Sequence, residues 1–241
     1  MKLIYLYHSG FALLGEGYTL IFDYFEDSVS ADKGIVHEQL LSREGRLYVF
    51  SSHAHADHFN RQILSWKALR PDIVYLLSTD IPLSARDKEN GIFHTLAKGD
   101  TYRDEYLTVR AFGSTDIGIS FLVQTPEGVT VFHAGDLNNW HWSEESTPQE
   151  IRKAEGDYLA EIRDLQQESP AVDVALFPVD RRMGRDYMRG ALQFVERIKT
   201  RIFVPMHFGD DYEGGNAFRP QAEAHGCRFL TIDHRGESFD I

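Results

Sequence analysis

Short apolar runs separated by glycines open the chain. Residues 3–7, 11–14 and 18–22 are rich in aromatic and aliphatic side chains. Runs of four to eight such residues bounded by turn formers are typical of strands. Because glycine-containing connections of a few residues join them, the pattern predicts an opening antiparallel meander.

In the rest of the chain, apolar runs typical of strands alternate with apolar residues at helical spacing. Apolar runs predict further strands at residues 46–50, 72–77, 93–97, 106–112, 117–124, 129–132, 172–179, 202–206 and 228–232. Apolar residues at helical spacing predict helices at residues 60–69, 151–165, 188–198 and 221–225. Strands first and then alternating helix and strand, once in each half, predict an α/β fold with two mixed sheets packed face to face and helices outside.

Composition adds bounds on size and location. The chain has 241 residues without a Pro/Gly/Ser linker, so we predict a single domain over residues 1–241. Its apolar runs are shorter than a membrane span. The apolar start ends at His8 with no small-residue cleavage site after it, which favours a first strand over a signal peptide. Cys227 is the single cysteine, which excludes an internal disulfide and fits a cytoplasmic location.

The charge balance bears on partners. Asp and Glu number 37 against 25 Lys and Arg, for a formal net charge of −12. Nucleic acids and anionic membranes would repel such a chain on average. We therefore expect a small-molecule substrate, and neither a nucleic acid nor a membrane; the pattern leaves the oligomeric state open.

The motif Ser-Ser-His-Ala-His-Ala-Asp-His follows the strand at residues 46–50. His53 and His55 are two apart, so in an extended segment both side chains leave one face and can meet one metal ion. Asp57 and His58 are adjacent and diverge, so a turn would carry them to a second metal a few ångströms away. A chance match to this pattern has odds of about 2 in 1000. The motif predicts a dinuclear metal site.

Four more candidate residues lie at or just after strand ends. His133 and Asp136 follow the strand at 129–132, and His207 follows the strand at 202–206. Asp23 ends the third strand, where a carboxylate can hold a metal-bound histidine or simply form a turn. Five histidines without motif context are left out of the predicted site: His8, His37, His94, His225 and His234.

These residues together resemble the metallo-β-lactamase superfamily, a four-layer αβ/βα sandwich with five recurring motifs. In this chain the motifs read, in order, Asp23, then His53-x-His55-x-Asp57-His58, then His133, Asp136 and His207. The match spans nearly the whole chain. The runs into His133 and His207 look most like the branch of small bacterial hydrolases that includes the ascorbate-6-phosphate lactonases.

The resemblance implies a ligand set and a chemistry. It assigns His53, His55 and His133 to one metal and Asp57, His58 and His207 to the other, bridged by Asp136. Two divalent ions, zinc first and manganese or iron as alternatives, would share a hydroxide that attacks the substrate. In that scheme Asp57 orients the nucleophile and passes its proton to the leaving group.

Departures from particular branches narrow the expectation. Asp136 stands where the best-known zinc β-lactamases have a cysteine, which argues against antibiotic hydrolysis. His55 occupies the place of a glutamate in the di-iron flavoproteins, which favours hydrolysis over electron transfer. Phe59 follows the motif where thiolester-cleaving and tRNA-processing branches usually have glycine, which argues against both.

Candidates for the substrate pocket come from the loops after the strands: Tyr24, Trp140, His141, Arg181, Arg182 and Arg185. Arginines can hold a phosphate or carboxylate through forked hydrogen bonds, but the same cluster also fits solvated surface charge. We therefore expect a metal-dependent hydrolase of a small anionic ester, lactone or phosphodiester. The alternatives are a metal-dependent oxidoreductase of the same fold, a phosphodiesterase or nuclease, and a binding protein that kept the fold without catalysis.

Overall fold

The computed structural model describes residues 1–89 and 91–241, which divide into two compact units. Unit 1 comprises Met1–Leu96 and Asp233–Ile241, and unit 2 comprises Ala97–Ile232. Each unit contains one seven-stranded mixed sheet. Two mixed sheets with helices confirm the α/β fold class that the sequence predicts.

The sheet of unit 1 has the strand order β14-β1-β2-β3-β4-β5-β6. With strands numbered in chain order through both units, these are β1 Lys2–Tyr7, β2 Gly10–Gly15, β3 Tyr18–Phe22, β4 Arg46–Ser51, β5 Val74–Ser78, β6 Ile92–Leu96 and β14 Ser238–Asp240. Strands β1 to β3 pair antiparallel, which confirms the predicted meander, and β3 to β6 run parallel. The short β14 closes the edge of β1.

Unit 1 has little regular α-helix among its described residues. Its helical segments are a π-helical turn at Val36–Leu40, a 3₁₀ helix at Arg61–Ala68 and α1 at Ala85–Lys88. The predicted cap at Asn60 is confirmed, because its side chain accepts a hydrogen bond from the Gln62 N–H. The segment that follows is a 3₁₀ helix whose Trp66 packs into the core against Tyr24.

The sheet of unit 2 has the strand order β13-β12-β11-β10-β9-β8-β7. Its strands are β7 Thr101–Arg103, β8 Thr108–Phe112, β9 Ser120–Gln124, β10 Thr130–His133, β11 Ala171–Pro178, β12 Lys199–Met206 and β13 Arg228–Phe229. Strands β7 to β10 pair antiparallel and β10 to β13 pair parallel. Because β10, β11 and β12 are parallel, their carboxyl ends lie at one edge of the sheet, and the candidate residues that follow each strand lie there.

The helices of unit 2 are α2 Pro148–Glu168, α3 Arg189–Val195, α4 Tyr212–Asn216 and α5 Arg219–Ala224, with a 3₁₀ turn at Arg181–Met183. A capping box between Thr147 and Glu150 begins α2, and Gly156 does not interrupt it. Tyr158 is buried on α2 and donates a hydrogen bond to the Gly190 carbonyl of α3 at 2.7 Å. None of the helices in the described ranges has the length and apolar character needed to span a membrane.

Two helical glycines provide a matched test of packing in unit 2. A Cβ at Gly190 would overlap the amide oxygen of Asn138, in the loop that carries Asp136, whereas a Cβ at Gly156 meets no described atom within 4 Å. We predict that Gly190→Ala lowers the free energy of unfolding by about 1–3 kcal/mol, as overpacking does. Gly156→Ala should raise it by about 0.5–1 kcal/mol, because alanine loses less backbone entropy in a helix.

Urea denaturation followed by circular dichroism measures both changes on the same scale. Equal effects of the two substitutions would contradict the close contact between α3 and the Asn138 loop.

Candidate metal and substrate site

Asp23 is a fully buried carboxylate that organises the loop after β4. Its Oδ1 accepts the Ser52 backbone N–H at 2.7 Å, and its Oδ2 accepts the Ser52 hydroxyl at 2.6 Å. The same Oδ2 lies 2.7 Å from Nδ1 of His58, which is also fully buried. The contact with a histidine expected of Asp23 from its place at the end of β3 is therefore present. It orients the His58 ring so that a metal would be bound through Nε2.

His53 and His55 turn their ring nitrogens toward one another. Nε2 of His53 and Nδ1 of His55 are 3.0 Å apart, although the segment is a bend and not an extended strand. Nδ1 of His53 lies 3.0 Å from the Ser52 hydroxyl, and the His53 and His58 rings are 4.2 Å apart between centroids. Ser52 thus links Asp23 to His53, and Asp23 itself contacts His58.

His8 joins Asp57 and His58 in a second group of unit 1. Ligand atoms of these three side chains lie within 4.8 Å of one another. Nε2 of His8 is 3.3 Å from Oδ2 of Asp57, and the His8 side chain is buried. The hydrogen bond from His8 holds the pKa of the Asp57 carboxyl well below its usual range; burial opposes this shift, and the charge of His58 reinforces it. Asp57 is therefore an ionised carboxylate at neutral pH.

In unit 2, His133 ends β10 and Asp136 lies in the turn that follows. His133 is the last residue of the strand and is fully buried, and its Nδ1 accepts the Gly135 N–H at 3.1 Å. That hydrogen bond directs Nε2 away from the turn. Asp136 is also buried, and a carboxylate oxygen of Asp116 lies within 4.8 Å of one of its own.

His207 follows β12 and lies between two carboxylates. Its Nδ1 is 2.9 Å from Oδ2 of Asp180, and its Nε2 is 3.3 Å from Oδ1 of Asp136. Burial alone would raise the pKa of the Asp180 carboxyl, but hydrogen bonds from His207 and Arg182 outweigh it and hold that pKa far below the usual range. Asp180 therefore holds His207 in unit 2 as Asp23 holds His58 in unit 1.

Three of these residues have a left-handed backbone. His8, Asp23 and His207 have φ angles of 56°, 41° and 67°, and they are the non-glycine residues with positive φ in the described part of the chain. Each such residue costs on the order of 1–3 kcal/mol and persists only where its surroundings hold it. All three belong to the two groups of potential ligands or to the carboxylate that supports them, so the strain lies where the candidate chemistry lies.

A cavity of about 390 Å³ opens beside Asp136 and His207 in unit 2. Its walls include Trp140, Trp142 and Met183, with Arg182 at the polar side. The volume falls in the range of small-molecule sites. Of the predicted substrate residues, Trp140 and Arg182 line this cavity.

The other predicted substrate residues lie elsewhere. Tyr24 belongs to the core of unit 1, where its hydroxyl donates to the Ala31 carbonyl at 2.7 Å. His141 is buried, with Nδ1 3.0 Å from the Asn139 carbonyl oxygen. Arg181 pairs with Asp211 and Glu213, and Arg185 pairs with Glu144 and Asp186, so these two arginines correspond to the surface-charge interpretation.

Sequence reasoning missed four residues of this region: His8, Asp116, Asp180 and Trp142. His8 carries the same sequence signal as His207, since it directly follows an apolar strand. Asp180 closely follows β11, as Asp23 follows β3. Strand-end position alone, without a motif, would have found these two.

The donor set suits a divalent transition metal. Imidazole nitrogen and carboxylate oxygen are ligands that zinc, manganese and iron all accept. The Nδ1 atoms of His58 and His207 face carboxylates, which is the support that metal-bound histidines require. The buried carboxylates and imidazoles of each unit therefore fit metal binding.

A family model described as a beta-lactamase superfamily domain matches residues 2–207. The chain belongs to the beta-lactamase superfamily. This match confirms the resemblance inferred from the five motifs.

The chain is also similar to a further protein in sequence and to solved structures in fold. A UPF0173 protein of Pyrococcus abyssi is 26% identical over 227 residues, which cover 90% of this chain and 87% of that protein. Igni18, a metallo hydrolase of Ignicoccus hospitalis, has a TM-score of 0.68 at 18% identity. The match covers 100% of this chain and 98% of the Igni18 chain. CmlA, a diiron β-hydroxylase of Streptomyces venezuelae, also has a TM-score of 0.68, at 14% identity. The match covers 100% of this chain but only 54% of the CmlA chain. These likenesses confirm the αβ/βα fold class.

The contact between His8 and Asp57 predicts a pKa change in the metal-free protein. His8→Asn keeps a residue type that tolerates positive φ, but its shorter side chain does not reach Asp57. We expect the pKa of the Asp57 carboxyl to rise toward the usual value of about 3.9. Carbon-detected NMR titration measures it directly.

His37→Asn is the control, because His37 pairs with Asp27 in the same unit. Because the Asp57 pKa is lower in the folded than in the unfolded protein, the ionised carboxylate stabilises the folded state at pH values above the unfolded-state pKa. This stabilisation is lost as the pH falls. The stability difference between the wild type and His8→Asn should therefore shrink below about pH 4. An unchanged Asp57 titration in His8→Asn would show that the His8 contact is not its cause.

Proposed function

We propose that this superfamily member is a metal-dependent hydrolase with a dinuclear site. The observation that carries the proposal is the repeated carboxylate–imidazole support, Asp23 on His58 and Asp180 on His207. A buried carboxylate on Nδ1 fixes the tautomer and raises the basicity of the nitrogen that binds a metal. A binding protein that had lost catalysis would not need two histidines held in this way.

The ligand assignment follows the superfamily resemblance. One ion is assigned to His53, His55 and His133 and the other to Asp57, His58 and His207, with Asp136 shared. Zinc is the first candidate for both ions, and manganese and iron are the alternatives. With this assignment, residues 1–241 act as a single functional domain.

When bound, two divalent ions would supply a water-derived nucleophile at neutral pH and polarise the carbonyl or phosphoryl oxygen of the substrate. The chain supplies the proton transfer. Asp57 is ionised and partly exposed, so its carboxylate can accept a proton and deliver it to the leaving group. His8 holds that carboxylate in place through its contact with Oδ2.

The substrate we propose is a small anionic ester, lactone or phosphodiester. Arg182 is the arginine that can meet its anionic group, because it lines the cavity and its side chain is largely exposed. A nucleic acid remains disfavoured by the net charge of −12. A cytoplasmic location is proposed on Cys227, a lone buried thiol whose pKa is raised to about 11 by burial.

An iron-dependent oxidation is the second candidate. The fold likeness to CmlA, a diiron β-hydroxylase, and a donor set without thiolate both suit this chemistry. Oxygen consumption by iron-loaded protein without hydrolysis of any ester would favour the oxidation over the hydrolase.

Metal loading tests the proposal first. We predict uptake of two zinc ions per chain by elemental analysis, with lower content in His58→Ala and His207→Ala. His234→Ala, a change at an exposed histidine outside both groups, should retain both ions. No uptake by the wild type would overturn the dinuclear site.

Activity tests it second. The zinc-loaded protein should hydrolyse at least one class among lactones, phosphodiesters, phosphomonoesters and thiolesters. Asp57→Asn should lower turnover by about 10²–10⁴-fold, the usual contribution of a general acid–base group. Turnover equal to wild type at saturating metal would remove Asp57 from the proton transfer.

Arg182 tests the charge of the substrate. We predict that Arg182→Ala raises KM for an anionic ester by roughly tenfold relative to neutral nitrophenyl acetate, since a hydrogen bond to a charged group contributes about 1.5–3 kcal/mol. Arg182→Ala also removes a partner of Asp180, which could weaken the binding of both substrates. The ratio of the two KM values cancels such a shared effect. Arg185→Ala is the matched control, and equal ratios in both variants would contradict an anionic substrate held by Arg182.

A further inference from the structure

Two tryptophans form one wall of the cavity in unit 2. The Trp140 and Trp142 rings are nearly parallel, at 18°, with centroids 6.4 Å apart. Trp142 is 43% exposed, which is unusual for a residue with so large an apolar side chain. Exposed apolar surface beside a candidate active site is typical of a ligand-binding wall.

The polar atoms around these rings already have partners within unit 2. The Trp140 indole N–H donates to the Asp136 carbonyl at 2.7 Å. The Arg182 guanidinium binds the Asp180 carboxylate through two nitrogens, at 2.9 and 2.6 Å. The wall therefore offers a ligand mainly aromatic surface.

The loop holds the two rings in place before any ligand binds. His141, between them, is buried, and Asn139 donates from its side chain to Gln193 on α3 at 2.9 Å. A wall that is ordered in advance loses little conformational entropy on binding. This arrangement suits recognition of a flat group with a defined orientation.

The wall also leads directly to the candidate ligands. The Trp140 ring lies 5.4 Å from the His207 ring, at 60°, and Asp136 lines the same cavity. A ring lying against the indoles would therefore have its substituent next to Asp136 and His207. The charged end of such a substrate would face Arg182.

We propose that this cavity binds a flat aromatic ring of the substrate against Trp140 and Trp142, so that the hydrolysed molecule is an aryl-bearing ester, lactone or phosphodiester. The inference rests on the proposed function for the reaction, but ring binding itself requires no catalysis. A binding experiment on metal-free protein therefore tests it separately.

The probes are 2-naphthol and decahydro-2-naphthol, which share a carbon skeleton and differ in aromaticity. The three tryptophans give three indole N–H signals by NMR, of which Trp66 reports on the core of unit 1. We expect 2-naphthol to shift the Trp140 and Trp142 signals, leave Trp66 unchanged, and bind more tightly than its saturated analogue.

Substitutions of Trp142 sharpen the test. Trp142→Ala should weaken 2-naphthol binding by about 2- to 12-fold, the range that aromatic pairs give. Trp142→Phe keeps an aromatic ring and should retain most of the affinity. Leu69→Ala removes an exposed apolar side chain of unit 1 and should have no effect.

Kinetics then separate this inference from the proposed function. With zinc-loaded protein, Trp142→Ala should raise KM for a benzoate ester and leave KM for the matched cyclohexanecarboxylate ester unchanged. Ring binding without hydrolysis of any substrate would overturn the hydrolase and support the aromatic cavity. Equal affinity for the two naphthol probes, or equal weakening of both by Trp142→Ala, would overturn the aromatic cavity whatever the activity.

Discussion

A carboxylate taken out of water must be met by hydrogen-bond donors, and this constraint organises the histidine loop of unit 1. Desolvation of an unpaired ion costs several kcal/mol, so the fully buried Asp23 is tolerated only because Ser52 and His58 donate to it. The same donors fix the loop after β4. The position of His53 follows, because the Ser52 hydroxyl also contacts its ring.

Unit 2 also contains a buried carboxylate whose charge is stabilised by hydrogen-bond donors, with different residues. Asp180 lies at the start of a 3₁₀ turn, where it accepts the Arg182 N–H, binds the Arg182 guanidinium and faces His207. Its partners keep it ionised, and an ionised carboxylate holds an imidazole more strongly than a neutral one. The left-handed backbones of Asp23 and His207 are part of the same arrangement, since the energy of these contacts offsets local strain.

Much of this could be predicted from the sequence, because strand period and strand-end motifs are local signals. The meander, the parallel strands and the contact of Asp23 with a histidine follow from them. The short strands β7 and β14 carry too few residues to show a period. His8 and Asp180 gain their partners only through the fold, because His8 meets Asp57 and Asp180 meets His207 across long stretches of chain. The sequence left two interpretations of the arginine cluster open for the complementary reason: charge in sequence does not show which acids pair with each arginine.

The place of β14 in the chain has a consequence for biosynthesis. All of unit 2 lies between β6 and the strand that closes the edge of β1. At translation rates of about 5–20 residues per second, β14 is synthesised roughly 7–30 seconds after β6, and the backbone groups of that edge lack their partner for all of this time. An unpaired edge of this kind can recruit strands of other chains. Nascent chains of this protein should therefore depend on chaperone protection of β1 more than its final stability would suggest.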